Sequence, residues 1–254
     1  MAKIGDGNYP GPVNAFSPQR PCGLYELMLK EVIKYTYAGV IFYQGESDDH
    51  KPQAYYNLFE SLIKRWRIDN GDKDLPFIAV QLPMHRFKQD PDFKNWPVIR
   101  CNQRRVVKNK KHAYLAVALD CGEYNNIHPV DKNVVAHRLF LQAYCYVYGR
   151  ISEAAANGPR VSNVRMGKGY VDVTFDFAKD GFVAGNPIEG FEIAPCRWEY
   201  KDEDFVPAKA EILENGKIRL TAPGVDKPGH ARYLYTNWGK VTLFGKNGIP
   251  VEPF

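Results

Sequence analysis

The chain has 254 residues, enough to bury a core as one large domain or two small ones. Hydrophobic residues make up 44% and charged residues 25%, which excludes a disordered or low-complexity chain. The formal charge of +5 is spread along the sequence; the densest basic cluster, Arg104, Arg105, Lys108, Lys110 and Lys111, has no interleaved aromatics and reads as a solvated helix end, so no nucleic-acid partner is expected.

Residues 1–21 are rich in Gly and Pro and read as an irregular lead-in. Met1–Gly7 has no apolar h-region and no stretch has the length of a membrane span, so the expectation is a chain with no membrane partner, cytoplasmic if taken as it stands. From Leu24 the spacing of Leu24, Leu27, Met28 and Val32 predicts one apolar helix face. Ala38–Tyr43 is a continuous apolar run, the pattern of a strand buried on both faces of a parallel sheet. The alternation repeats: a helix over 53–67, a strand over 76–82, a helix marked by Trp96, Ile99, Gln103, Val106 and Val107, a strand over 113–120, and a helix over 131–148 with Val134, Val135, Leu139, Ala143 and Val147 inward. Such alternation predicts βαβ units, whose functional residues gather at the carboxyl ends of the strands.

After Gly149 the pattern changes. Residues 150–159 read as a linker, and from Val161 short alternating strands separated by turns (Asp180-Gly181, Ala184-Gly185-Asn186, Glu214-Asn215-Gly216, Pro223-Gly224) predict a β-sandwich-like module. The expected division is therefore 1–21, 22–150 and 151–254. The aromatic residues Trp198, Tyr200, Tyr233 and Trp238 read as core residues, with glycan stacking as the alternative. The five cysteines form no CxxC pair and their odd number argues against a disulfide framework; Cys101, Cys121 and Cys145 sit in segments that read as buried.

Two polar motifs lie at strand ends. Gln44-Gly45-Glu46-Ser47-Asp48 follows the first strand, where the sheet opens toward a cleft; a capped turn with Asp48 or Asp49 is the plain alternative. Asp120–Pro129 follows the third strand, and its His128 has the chemistry of a general base, or of a histidine merely hydrogen-bonded near a helix start. A metal site through Asp48, Asp49 and His50 is disfavoured, since adjacent ligands on one turn rarely converge on one ion. No metal and no cofactor is expected.

Taken together, Gly39–Ser47, Ile127-His128-Pro129 with Lys132 and Arg138-Leu139, Leu24-Tyr25, Leu62–Arg67, Pro76-Phe77 with Gln81-Leu82, Gly190–Ile193 and Gly248–Phe254 resemble the SGNH hydrolases, and within them the sialate O-acetylesterase and acetylxylan esterase group. The resemblance implies an α/β fold: a partial SGNH (flavodoxin-like) three-layer α/β/α domain over 22–150, then the β-rich module. It also implies hydrolysis of an acetyl ester on a sugar, sialic acid or another acetylated glycan, with a serine as nucleophile and His128 as general base and then acid. Gln44, Gly45, Glu46 and Asn125 match residues around the site. The Gly-x-Ser block that carries the nucleophile has no match here, and neither Ser17 nor Ser47 replaces it. The resemblance thus implies that the serine lies outside the chain, in an upstream part of a longer protein or in a separate N-terminal fragment or subunit. A full-length member is expected to be periplasmic, secreted or lysosomal. Many members have Asp three residues before the histidine; Asn125 stands there, leaving a Ser–His dyad or help from Asp120 or Glu123. A catalytically inactive, glycan-binding relative is the alternative.

Overall fold

The computed structural model describes residues 22–33, 35–214 and 216–254. The lead-in over 1–21, Ser17 with it, and Asn215 of the turn at 214–216 lie outside them.

The apolar runs form a parallel sheet of β1 (Val40–Phe42), β2 (Phe77–Gln81) and β3 (Ala113–Val117), in the order β1-β2-β3. Val40 pairs with Phe77 and Phe77 with Ala113. Every residue of β2 is buried, as its lack of polar alternation requires of a central strand. Alternate side chains serve opposite faces. Val40, Phe77, Ala79 and Leu115 pack against α2 (Tyr55–Asp69) and α3 (Asn95–Asn109) through Tyr55, Phe59, Ile63, Trp96, Ile99 and Val106. Val80 faces α4 (Asn133–Tyr146) through Val135 and Leu139. The expected three-layer α/β/α arrangement is present.

Two expected faces differ. In α4 the inward residues are Val135, Arg138, Gln142 and Cys145, whereas Val134 is exposed. The reason is that Arg138 and Gln142 find backbone partners inside, Val117 O at 2.9 Å and Ala156 O at 2.7 Å, so the helix turns its polar side in. In α1, a π-turn Tyr25–Leu29 running on as Lys30–Val32, the residues Leu24, Leu27, Met28 and Val32 all stay exposed. Their spacing marks a common face, but no described residue covers it. The outer edge of β1 is also open among the described residues, and Ile41 on the α4 side is 62% exposed.

The stretch expected as a linker folds instead. Ser152 caps α5 (Glu153–Ala156). A Cβ on Gly158 would lie 2.3 Å from the Pro250 carbonyl oxygen, so this segment is pressed against the C-terminal chain. Beyond it, β4 (Arg160–Met166), β5 (Val171–Asp176), β10 (Lys217–Thr221) and β9 (Lys209–Leu213) form an antiparallel sheet in the order β4-β5-β10-β9. A second sheet runs β11 (Pro228–Tyr233), β7 (Phe191–Pro195), β8 (Val206–Pro207), and β12 (Leu243–Gly245) pairs with β6 (Phe182–Ala184). The inward Val171, Val173, Ile193, Ile218, Leu220 and Tyr233 share one core with Met84, Val117 and Leu119 from the ends of β2 and β3. The β-rich module therefore packs directly against the edge of the parallel sheet where the polar motifs lie. Of the four aromatics read as core, Tyr233 is buried and Trp238 packs against the core, but Tyr200 is exposed and Trp198 is 99% exposed. The reason is local: Trp198 sits on the turn after β7, outside the alternating strand pattern that directs side chains inward.

The basic cluster is engaged within the chain: Arg104 pairs with Glu252 at 3.0 Å, Lys110 with Glu60 at 2.6 Å, and Arg105 lies over the Tyr56 ring. The cysteines are free; Cys145 is buried, Cys101 and Cys121 are half-buried, and Cys22 and Cys196 are exposed. No helix among the described residues is long and apolar enough to cross a membrane.

Candidate active site at the carboxyl ends of the parallel strands

β1 is followed by Tyr43 and Gln44, and Gly45 then takes φ +148°, a backbone that side chains rarely adopt. A Cβ there would also press on Leu82 and Ile99 at 3.1 and 3.2 Å. Glycine thus lets the chain turn tightly against β2 and α3 and present Glu46. The turn is fixed by its carbonyl: Gln44 O accepts from the Tyr55 hydroxyl at 2.9 Å and from Gln103 Nε2 at 3.3 Å. Gln103 also donates to Val80 O at 3.2 Å and accepts from Leu82 N at 3.0 Å, so one buried amide ties the ends of β1 and β2 together. The Gln44 side chain donates to Asp48 at 2.6 Å.

The second motif hangs from β3. Asp120 accepts from both ends of the Arg138 guanidinium, with Nη2 at 2.8 Å, which anchors the strand end to α4. Gly122 passes so close to β2's continuation that a Cβ would lie 1.7 Å from Met84 O. Glu123 then organises the loop, accepting from Val130 N and Asn126 Nδ2, both at 2.7 Å. These bonds hold its carboxyl below the usual carboxylate range. Asn126 in turn accepts from His128 N at 3.1 Å. His128 is exposed at the surface.

Gln44, Gly45 and Glu46 therefore stand at the end of β1, and His128 on the loop after β3. They share one electrostatic neighbourhood. Burial raises the Glu46 carboxyl above its ordinary range, while Lys132 and His128 pull it back down. Burial likewise raises Tyr43, with Glu46 and Cys121 adding to the effect. Lys132, at the start of α4, lies over the Tyr43 ring. The Cys121 thiol is pushed up to about 12, by burial first and by Asp120 next, so it stays protonated and is a poor nucleophile.

Asn125 does not face His128. It adopts φ +62°, its N–H donates to Arg86 O and its Oδ1 accepts from Lys88 N, both at 3.0 Å, so it joins the His128 loop to the segment after β2. Asp120 is taken by Arg138 and Glu123 by the loop backbone. Asp48, Asp49 and His50 diverge: Asp48 bonds Gln44, Asp49 turns inward, and His50 bonds Ser47 O at 2.9 Å.

Sequence reasoning left out Gln103, Tyr55 and the roles of Lys132 and Arg138. Gln103 carried a signal, a polar residue on the apolar stripe Trp96, Ile99, Val106 of α3. Arg138 carried a signal only through the resemblance, in the pair Arg138-Leu139, because its partner is fixed by the fold.

Comparison with known proteins agrees with this architecture. A family model described as carbohydrate esterase, sialic acid-specific acetylesterase, matches residues 13–135. Human sialate O-acetylesterase is 31% identical over 241 residues, 87% of this chain and 45% of the relative; the mouse protein of the same name is 28% identical over 250 residues, 89% of this chain and 44% of the relative. A carbohydrate acetylesterase from Xanthomonas citri superposes with a TM-score of 0.81 at 28% identity, covering 91% of this chain and 53% of that one. The chain spans about half the length of these relatives. In motifs, fold and relatives alike, the chain is similar to the sialate O-acetylesterases and to carbohydrate esterases more widely.

Proposed function

We propose that the chain is the part of a carbohydrate O-acetyl ester hydrolase, sialate 9-O-acetylesterase-like, that supplies the catalytic histidine. The observation that carries this reading is that the Gln44–Glu46 turn and the His128 loop both leave the carboxyl ends of strands in one parallel sheet, β1 and β3. The names of the relatives support the substrate class. In this reading the serine is supplied by polypeptide outside these 254 residues; the open edge of β1 and the exposed Ile41 support a further strand docking there.

In this reading the serine oxygen attacks the acetyl carbonyl as His128 takes its proton. The tetrahedral intermediate collapses, the bond to the sugar oxygen breaks, and His128 returns the proton to the leaving hydroxyl. Water, activated by the same imidazole, then cleaves the acetyl-serine and releases acetate. Glu46, Gln44 and Gly45 shape the wall opposite His128. Asn125, Asp120 and Glu123 are each engaged elsewhere, which supports a Ser–His dyad as the working unit. An acetylxylan-type substrate would use the same steps.

Acetate release from an acetylated sugar is the test, measured on this chain and on an upstream-extended protein, each beside His128→Ala. Release is expected from the extended protein and falls by at least about a hundredfold without the imidazole. Release that survives His128→Ala overturns the mechanism. Trp198, 99% exposed, favours a second reading, an inactive glycan-binding relative; that reading requires saccharide binding with no acetate release even after the extension.

A further inference from the structure

A cavity of about 280 Å³ lies beside the His128 loop, between the turn after β1, the segment 85–96 and Asn237 of the β-rich module. Two of its lining side chains are almost wholly buried yet incompletely partnered: Asp49, 5% exposed, and His85, 3% exposed. Among the described residues, Asp49 Oδ1 and His85 Nε2 have no hydrogen-bond partner. His85 Nδ1 lies 3.3 Å from the Glu123 carbonyl oxygen. A carbonyl only accepts, so Nδ1 is the donor and, in a neutral ring, Nε2 is an acceptor. Both orphan atoms are therefore acceptors, and a buried acceptor left unmade costs about 1–3 kcal/mol. Arg86 lines the same cavity; among the described residues its Nε is unpartnered and its guanidinium makes no ion pair, lying over the Tyr124 ring face at 6.0 Å. Phe87 and Trp96 add ring surface around His85, with centroids 4.7 and 5.1 Å away.

The walls are held from several elements. His85 N donates to Asn237 O at 2.9 Å, Trp96 N donates to Asn237 Oδ1 at 3.1 Å, and Asp92 accepts from Asn237 N. The Asn125 bonds to Arg86 and Lys88 join the cavity to the loop that presents His128.

We propose that this cavity is a sugar subsite that binds the hydroxyl-bearing part of the substrate, with Asp49 and His85 accepting hydroxyl hydrogens and Arg86 donating to a sugar oxygen. The donor–acceptor balance sets the ligand chemistry. Two orphan acceptors call for a ligand that donates, which hydroxyls do and a carboxylate does not. Sugar rings and polyols also present C–H faces suited to the Phe87 and Trp96 rings. This assignment rests on the carbohydrate acetylesterase reading for its choice of ligand, and its test is independent of catalysis.

The test is binding of free N-acetylneuraminic acid to the 254-residue chain, followed by NMR through the Trp96 indole N–H and the His85 ring. Saturable shifts of both signals are expected in the chain and equally in His128→Ala. Asp49→Leu and His85→Phe, which remove the acceptors, should each weaken binding by about tenfold or more, the loss of one hydrogen bond to a buried or charged acceptor. Circular dichroism selects variants that fold, and either variant alone decides the question. No shift at Trp96, or equal affinity in a folded variant, overturns the subsite and leaves the cavity to water. Acetate release by the extended protein separates the two ideas: His128-dependent release with no binding here sinks only the subsite, and binding here with no release under any extension sinks only the hydrolase reading.

Discussion

Lys132 Nζ lies 5.0 Å from the centre of the Tyr43 ring, so the first residues of α4 are held against the last residues of β1. This contact brings a cation to the Glu46 carboxyl, which burial pushes up and Lys132, ahead of His128, draws down. Replacing Lys132 with methionine is expected to move the Glu46 midpoint further up, and Lys132→Arg to leave it nearly in place. Carboxyl carbon NMR titration reads both; an unmoved midpoint in the methionine variant would mean that the charge is screened from the site.

Gly122→Ala is expected to cost more than its one methyl suggests. The new carbon would collide with Met84 O, so the loop must swing away from the end of β2 and take His128 with it. A shift of about 1 Å at a catalytic group costs on the order of a hundredfold in rate. The variant should show this loss in kcat of the extended protein with little change in far-ultraviolet circular dichroism.

Arg138→Leu tests the anchor beneath the loop. It removes the guanidinium that joins Asp120 to α4 and satisfies Val117 O. Asp120 is left in reach of water, so the main cost is the bond lost at the buried Val117 O, about 1–3 kcal/mol. Urea denaturation should report it as a lower midpoint at unchanged slope.

Asp49 makes stability depend on pH in a defined direction. Burial raises its carboxyl to about 6, with Asp90 adding to the rise and His50 opposing it; His85 and Arg86 share the cavity. The unfolded chain releases this proton near the ordinary value of about 3.9, so between those two values the folded state binds more protons. Stability from this group is greatest below about 4 and declines as pH rises through about 6. Asp49→Asn abolishes the decline. Melting temperatures from pH 4 to 7 should therefore fall more steeply in the parent than in the variant. A ligand hydroxyl bonded to the carboxylate should flatten the same slope.

Much of the scaffold was legible because its signals are local. The unbroken apolar run Phe77–Gln81 could only be a central strand, and the turn glycines marked where the later strands begin and end. His128 and the Gln44–Glu46 turn were legible as polar groups directly after such strands. What local pattern could not reveal is which side of a helix the fold would choose. Val134 and Val135 are equally apolar, and only the long-range partners of Arg138 and Gln142 decide that Val135 turns inward. The pairing of Asp49 with His85 around one cavity was invisible for the same reason: each is unremarkable in its own loop, and it takes the sheet to bring the loops together. Asn125 was read by its position relative to His128, whereas a left-handed backbone turns it toward Arg86 and Lys88.

The open side of β1 also acts as a ruler. Val40 and Phe42 point toward α2 and Ile41 points the other way, so any strand laid along that side must choose its alignment against just three residues. A slip of one place would turn its whole set of side chains over, and a slip of two would carry its tip about 6.6 Å along the sheet, beyond the reach of a proton transfer. The distance between nucleophile and imidazole would then be set by how two lengths of backbone mesh at a border far narrower than the cleft it governs.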